Sequence, residues 1–225
     1  SDNIVHTLCR DKEGGIWAGT YFGGINYYPK QFVTFKKYFP RSDSNSISGY
    51  AVREICNDKN DNIWIGTEDA GLNKFNPVTG IFQNFNSGIR KASVSYSNIH
   101  GLLADGDKIW IGTYLHGLDV LDVQTGKKLR HYNTFNSSIG SNFIYSLFKT
   151  RTNEVYAATD KGLYQYLPEK DNFKIVPVVE KVFYRTLCEQ KDGTIWAGTY
   201  GDGVFYFNNK TGKHGRFAFE AGNPY

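Results

Sequence analysis

Methionine is absent from all 225 residues, position 1 included, and the chain has only three cysteines, six prolines and four tryptophans. A chain without an initiator methionine is expected to be an excised or processed piece of a longer protein. Its first residues do not read as a signal peptide, so targeting information is expected outside it. No run of 18 apolar residues occurs, which excludes a helix that spans a membrane. No stretch gathers five basic residues, and 26 Lys+Arg against 22 Asp+Glu leave a formal charge of only +4. Nucleic acid is therefore not an expected partner. An odd count of three cysteines speaks against a disulfide framework. No Cys-x-x-Cys, His-x-x-x-His or carboxylate cluster points to a metal, and no cofactor is expected.

What the chain does have is aromatic residues (16%) and 24 glycines, the composition of many short strands joined by tight turns. These residues are periodic. GGIWAGTYFGG (14–24), DNIWIGTEDAG (61–71), DKIWIGTYLHG (107–117) and GTIWAGTYGDG (193–203) are one motif, and NEVYAATDKG (153–162) is a weaker fifth copy. The key aromatics are Trp17, Trp64, Trp110, Tyr156 and Trp196, spaced by 46 or 47 residues and then by 40. Each copy reads as four strands. An apolar segment (IVHTLCRD, 4–11; AVREICND, 51–58) precedes a polar turn and the IWIGT strand. A short loop then reaches a glycine that opens the third strand (Gly24, Gly71, Gly117, Gly162, Gly203). A turn such as NPVTG (76–80) or DVQTG (122–126) leads to the fourth, for example IFQNF (81–85) or GRFAF (215–219).

Strands joined by turns this short pair as antiparallel hairpins. Such a meander repeated about every 46 residues predicts an all-β fold, a β-propeller of five four-stranded antiparallel blades that is possibly part of a seven-bladed array. The expected blades are approximately 1–39, 40–87, 88–134, 135–177 and 178–225; an extended solenoid is the alternative. The tryptophans are expected to pack between successive blades and the Gly of Gly-Thr to admit a neighbour's side chains. The glycine after the loop is expected to take a backbone angle closed to other residues. A phosphate loop would need a helix after its glycines, and each of these loops runs into a strand. Cys9, Cys56 and Cys188 share one repeat column with Leu103 and Phe148, where they are expected to behave as small buried apolar residues.

One column disobeys the repeat. After the apolar residue that opens the first strand come His6, Arg53, His100, Tyr145 and Arg185, all large and all polar or amphipathic. In a propeller that strand lines the central channel, so the column is expected either to ring the channel mouth and meet a ligand or to be an ordinary solvated rim. The loops after the motif strand add Tyr21 and Phe22, Glu68 and Asp69, Tyr114 and His116, Asp160, Tyr200 and Asp202. Tyrosine faces for sugar C–H groups, with carboxylates for hydroxyls, suit a carbohydrate platform. Aromatics that merely brace the loops are the competing reading.

The stretch SISGYAVREICNDKNDNIWIGTEDAGLNKFNPVTG (46–80) resembles the two-component regulator propeller repeat, and the resemblance runs through all five copies, least in the fourth. It implies the extracytoplasmic, periplasmic sensor region of a hybrid two-component system, in arrays similar to paired seven-bladed propellers. It also implies a non-catalytic role: recognising an oligosaccharide, with a dimer rearrangement passed to a histidine kinase through membrane segments absent here. The rivals are a propeller enzyme, lyase or quinoprotein-like, and a structural blade array that mediates self-association.

Overall fold

The computed structural model describes residues 4–30, 35–42, 45–86 and 94–218. Phe219, read above as part of the last strand, and the expected blade boundary at 87/88 lie outside these residues. The described residues are all-β apart from one 3-10 turn, Pro168–Lys170. Among the described residues no helix is long and apolar enough to cross a membrane.

Among the described residues, twenty strands form five separate four-stranded antiparallel sheets, the blades of a β-propeller fold. Blade 1 comprises β1 (Val5–Arg10), β2 (Ile16–Thr20), β3 (Ile25–Tyr28) and β4 (Lys36–Tyr38). Blade 2 comprises β5 (Val52–Asn57), β6 (Ile63–Thr67), β7 (Leu72–Asn76) and β8 (Ile81–Phe85). Blade 3 holds β9 (Ile99–Asp105), β10 (Lys108–Thr113), β11 (Leu118–Asp122) and β12 (Lys128–Tyr132). Blade 4 holds β13 (Ile144–Lys149), β14 (Val155–Thr159), β15 (Gly162–Leu167) and β16 (Asn172–Ile175). Blade 5 holds β17 (Tyr184–Glu189), β18 (Ile195–Thr199), β19 (Val204–Phe207) and β20 (His214–Phe217). The chain divides after His131 into two compact units, the first carrying blades 1–3 and the second blades 4 and 5.

Within each unit, neighbouring blades share a core. In the first, Trp17 packs with Val52, Ile63, Ile65 and Phe75 of blade 2, and Trp64 packs with Ile99, Ile109 and Leu121 of blade 3. In the second, Tyr156 packs with Tyr184, Ile195 and Phe207 of blade 5. Each aromatic thus fills the wedge between its own sheet and the next, where a large ring removes the most apolar surface from water. Gly66 belongs to the same contact, since a Cβ there would stand 2.6 Å from Ile99 Cγ2. Trp196 has no such cover. It is half-buried, against 0–2% exposure for Trp17, Trp64, Trp110 and Tyr156, and stacks within its own blade on Phe217. On that same face Cys188 is exposed, which corrects the expectation of a buried thiol; Cys9 and Cys56 are half-buried.

The motif's polar residues hold its turns. The indole N–H of Trp17 donates to Asp11 at 2.9 Å and that of Trp64 to Asp58 at 2.8 Å, with Gln190 doing the same for Trp196 at 3.1 Å. Each motif threonine donates its hydroxyl to the carbonyl of the glycine that closes the loop: Thr20 to Gly24, Thr67 to Gly71, Thr113 to Gly117, Thr159 to Gly162 and Thr199 to Gly203. Gly71 has φ +88°, a conformation that side chains with a Cβ rarely adopt, and the other four closing glycines are likewise positive. The Thr-Gly turns of blades 2, 3 and 5 are Asx-type turns, with Asn76, Asp122 and Asn208 accepting from the backbone two or three residues on.

Candidate functional site

The variable column has one structural cause. In all five blades the pairing of the first two strands slips at one residue, and that residue is His6, Arg53, His100, Tyr145 or Arg185. Each is the extra residue of a β-bulge. A bulge leaves its residue outside the ladder and re-aims the side chain, so these five positions escape the alternation that governs the rest of the strand.

In four blades the bulged side chain meets the first residue of the loop that follows the motif threonine. His6 stacks on Tyr21 with ring centroids 5.1 Å apart and 6° between planes. Arg53 donates to Glu68 at 2.7 Å in an ion pair that is mostly buried. His100 stacks on Tyr114 at 5.7 Å, and the guanidinium of Arg185 lies 5.6 Å over the ring of Tyr200. The backbone clamps the same loop residues: the N–H groups of Tyr21, Glu68, Tyr114 and Tyr200 donate to the carbonyls of Ile4, Ala51, Asn98 and Phe183. One geometry in four blades therefore carries three chemistries, namely imidazole on phenol twice, an ion pair, and a cation on an aromatic face.

Blade 4 departs from this. Its loop is a residue shorter, and Asp160 accepts from the Ser141 hydroxyl. Tyr145 turns instead to blade 5, accepting a hydrogen bond from Arg185, whose guanidinium lies 4.6 Å over its ring. Phe183 packs edge-on to Tyr145 at 5.2 Å and lies 5.8 Å from Tyr200. Arg185 is thus held between two tyrosines, one buried and one 67% exposed.

The remaining loop residues divide by role. Tyr114, His116 and Tyr200 are exposed. His116 stacks on Tyr96 at 4.0 Å and 11°. Asp69 is a brace: it accepts from the Tyr50 N–H at 2.9 Å and from Ala51 at 3.4 Å, and Gly49 beside it leaves no room for a Cβ. The N–H of Asp202 donates to Thr199, its carbonyl accepts from Arg216, and its carboxylate lies 3.8 Å from that guanidinium. Burial also falls unevenly along the column. His100 and Tyr145 are each 8% exposed, whereas His6 and Arg185 face solvent. Glu54, the residue after the bulge of blade 2, is titratable near neutral pH, because burial lifts its carboxyl to about 8 against the lowering effect of Arg53.

Inspection of residue types finds the column but not the bulge or its supporting aromatics, Tyr96 and Phe183. The signal is present in the spacing. Every first strand places buried or apolar residues three apart, as in Val52 and Ile55 or Ile99 and Leu102, where an unbroken strand repeats every two. The aromatics sit just before that strand, in segments whose own pattern is irregular.

The two component regulator propeller family model matches residues 1–22, 46–69 and 179–201, the first hairpins of blades 1, 2 and 5. No curated protein sequence matches the chain. Among solved structures, the extracellular domain of the hybrid two component system BT3049 from B. thetaiotaomicron is similar, with a TM-score of 0.81 at 26% identity. That match covers 96% of this chain and 30% of the other. The extracellular domain of the hybrid two component system BT4673 from the same organism gives 0.79 at 20% identity, over 98% of this chain and 32% of that one. Virginiamycin B lyase from Staphylococcus aureus gives 0.73 at 12% identity, over 100% and 72%, a likeness of fold alone. The chain spans less than a third of the length of the two extracellular domains.

Proposed function

We propose that this chain, an array of two component regulator propeller repeats, is a non-catalytic sensing segment that recognises an oligosaccharide through its bulged residues and their loop partners. The observation that carries the reading is the recurrence of one bulge in every blade with a different side chain at each. Constant backbone geometry with a side chain that varies among the blades suits a surface that reads a ligand by its varied polar groups. The chemistry suits a sugar. Tyr114 and Tyr200 offer exposed rings for pyranose C–H groups, Arg53 and Glu68 offer fixed donors and acceptors for hydroxyls, and Arg185 is pre-oriented by Tyr145.

The likeness to extracellular domains of hybrid two component systems supports an extracytoplasmic, periplasmic setting. Binding would then be passed to a histidine kinase through membrane segments outside this chain, with self-association of the sensing segments as part of the signal. The lyase likeness carries no chemistry to this chain, because at that identity the blades alone are shared. A thermal-shift screen against a panel of plant- and host-derived oligosaccharides tests the reading: at least one should raise Tm, since a ligand that binds only the folded state stabilises it by mass action. A panel with no stabilising member, or one that is cleaved by the protein, counts against it.

A further inference from the structure

Two of the five bulges carry arginine, and they differ in what meets it. In blade 2 the loop residue facing Arg53 is Glu68, and the two form an ion pair at 2.7 Å with little of either side chain exposed. In blade 5 the same loop position holds Tyr200, clamped by the same backbone hydrogen bond. Arg185 therefore meets a phenol ring, 5.6 Å from its guanidinium carbon, where Arg53 meets a carboxylate. Tyr145 of blade 4 holds the same guanidinium: its ring lies 4.6 Å away and its hydroxyl accepts from Nη2. Carboxylates of the adjoining loops in these two blades have other partners. Asp160 accepts from Ser141, while Asp202 and Glu180 both face Arg216 at 3.8 and 3.5 Å. Among the described residues Arg185 makes no ion pair, and its side chain is exposed.

The donors that remain have a definite shape. Nη2 carries two protons, of which Tyr145 takes one. The other, together with an N–H of Nε or Nη1, forms a complete two-donor edge, and such an edge grips a carboxylate bidentately. Two aromatic rings and one hydrogen bond fix the guanidinium before a ligand arrives, which lowers the ordering cost of binding. In a uronic acid the carboxylate is attached directly to the pyranose. A sugar gripped at Arg185 thus brings its ring to the neighbouring Tyr200, which is 67% exposed.

We propose that Arg185 binds the carboxylate of an acidic saccharide, a uronate. The inference rests on the sensing reading and deepens it by naming the class of sugar. It is tested by calorimetric titration of the 225-residue chain with digalacturonic acid and a glucuronic acid disaccharide, their neutral galactose and glucose counterparts, and acetate. The variants are Arg185→Gln and Tyr200→Glu, both checked for folding by melting; the second copies blade 2 and gives Arg185 the partner that Arg53 has. At least one uronate should bind fivefold or more tightly than its neutral counterpart and than acetate. Its affinity should fall at least fivefold in each variant. A smaller fall in either variant takes the carboxylate away from Arg185 and overturns the proposal. So does a uronate that binds no more tightly than its neutral counterpart or acetate, and so does the absence of binding by both uronates. Neutral disaccharides that bind as well as the uronates would overturn the acidic class while leaving the sensing reading intact; that reading fails only if the wider oligosaccharide panel yields no ligand.

Discussion

Trp64 and Trp196 occupy the same place in their repeats and differ chiefly in what lies beyond them. Trp64 is sealed under blade 3, whereas Trp196 is half-buried against its own sheet. Replacing Trp64 with alanine should cost about 3–5 kcal/mol in chemical denaturation, the range for a large core truncation, and Trp196→Ala should cost clearly less. Equal losses would show that the wedge is not the source of the stabilisation. Glu54 makes a second residue-level prediction. Its folded pKa of about 8 lies above the ordinary carboxylate value of 4.5, so the folded state holds the extra proton between those limits. Stability should therefore fall as pH rises from about 4.5 through 8, and Glu54→Gln should flatten that slope. The residue is only half-buried, so the gain at pH 8.5 should be modest, on the order of 1 kcal/mol or roughly 2–4 °C in Tm. A melting profile with the same slope in both proteins would show that Glu54 is not its origin.

Among the elements, the hairpin of the first two strands carries most of the information. Gly66 faces Ile99 at a separation that admits no Cβ, so Gly66→Ala should destabilise by about 1–3 kcal/mol through overpacking. An unchanged denaturation midpoint would show that Ile99 can retreat. The hairpins, their glycines and the tryptophan wedge were legible in the sequence because each rests on short-range chemistry: Asn-Pro-Val-Thr-Gly closes a turn wherever it stands, and Asp58 reaches the Trp64 indole from six residues away. The column was legible as an anomaly, while its cause was not, because a bulge appears only when two strands are set in register. In four blades the partner of the bulged residue lies fourteen or fifteen residues on, and that spacing is visible only once the bulge is known. The exposure of Trp196 and Cys188 was illegible for a different reason, since burial of a blade face depends on a neighbour that the blade itself does not encode.

At the scale of the whole molecule, exposed apolar side chains among the described residues include Val5 and Leu8 on the first strand of blade 1, both more than half exposed, and Phe217 on blade 5. Exposed apolar faces of this kind favour association. Sedimentation velocity should show a concentration-dependent increase in mass that Leu8→Lys diminishes; a single monomer species across the range would exclude self-association through blade 1. Sensing itself rests on the bulge column. The decisive experiment is a titration of the stabilising oligosaccharide into the parent chain and into a variant with Arg53→Ala, His100→Ala and Arg185→Ala, both shown to be folded by melting. An affinity at least tenfold weaker in the variant is expected, and an unchanged affinity would remove the bulged residues from recognition altogether.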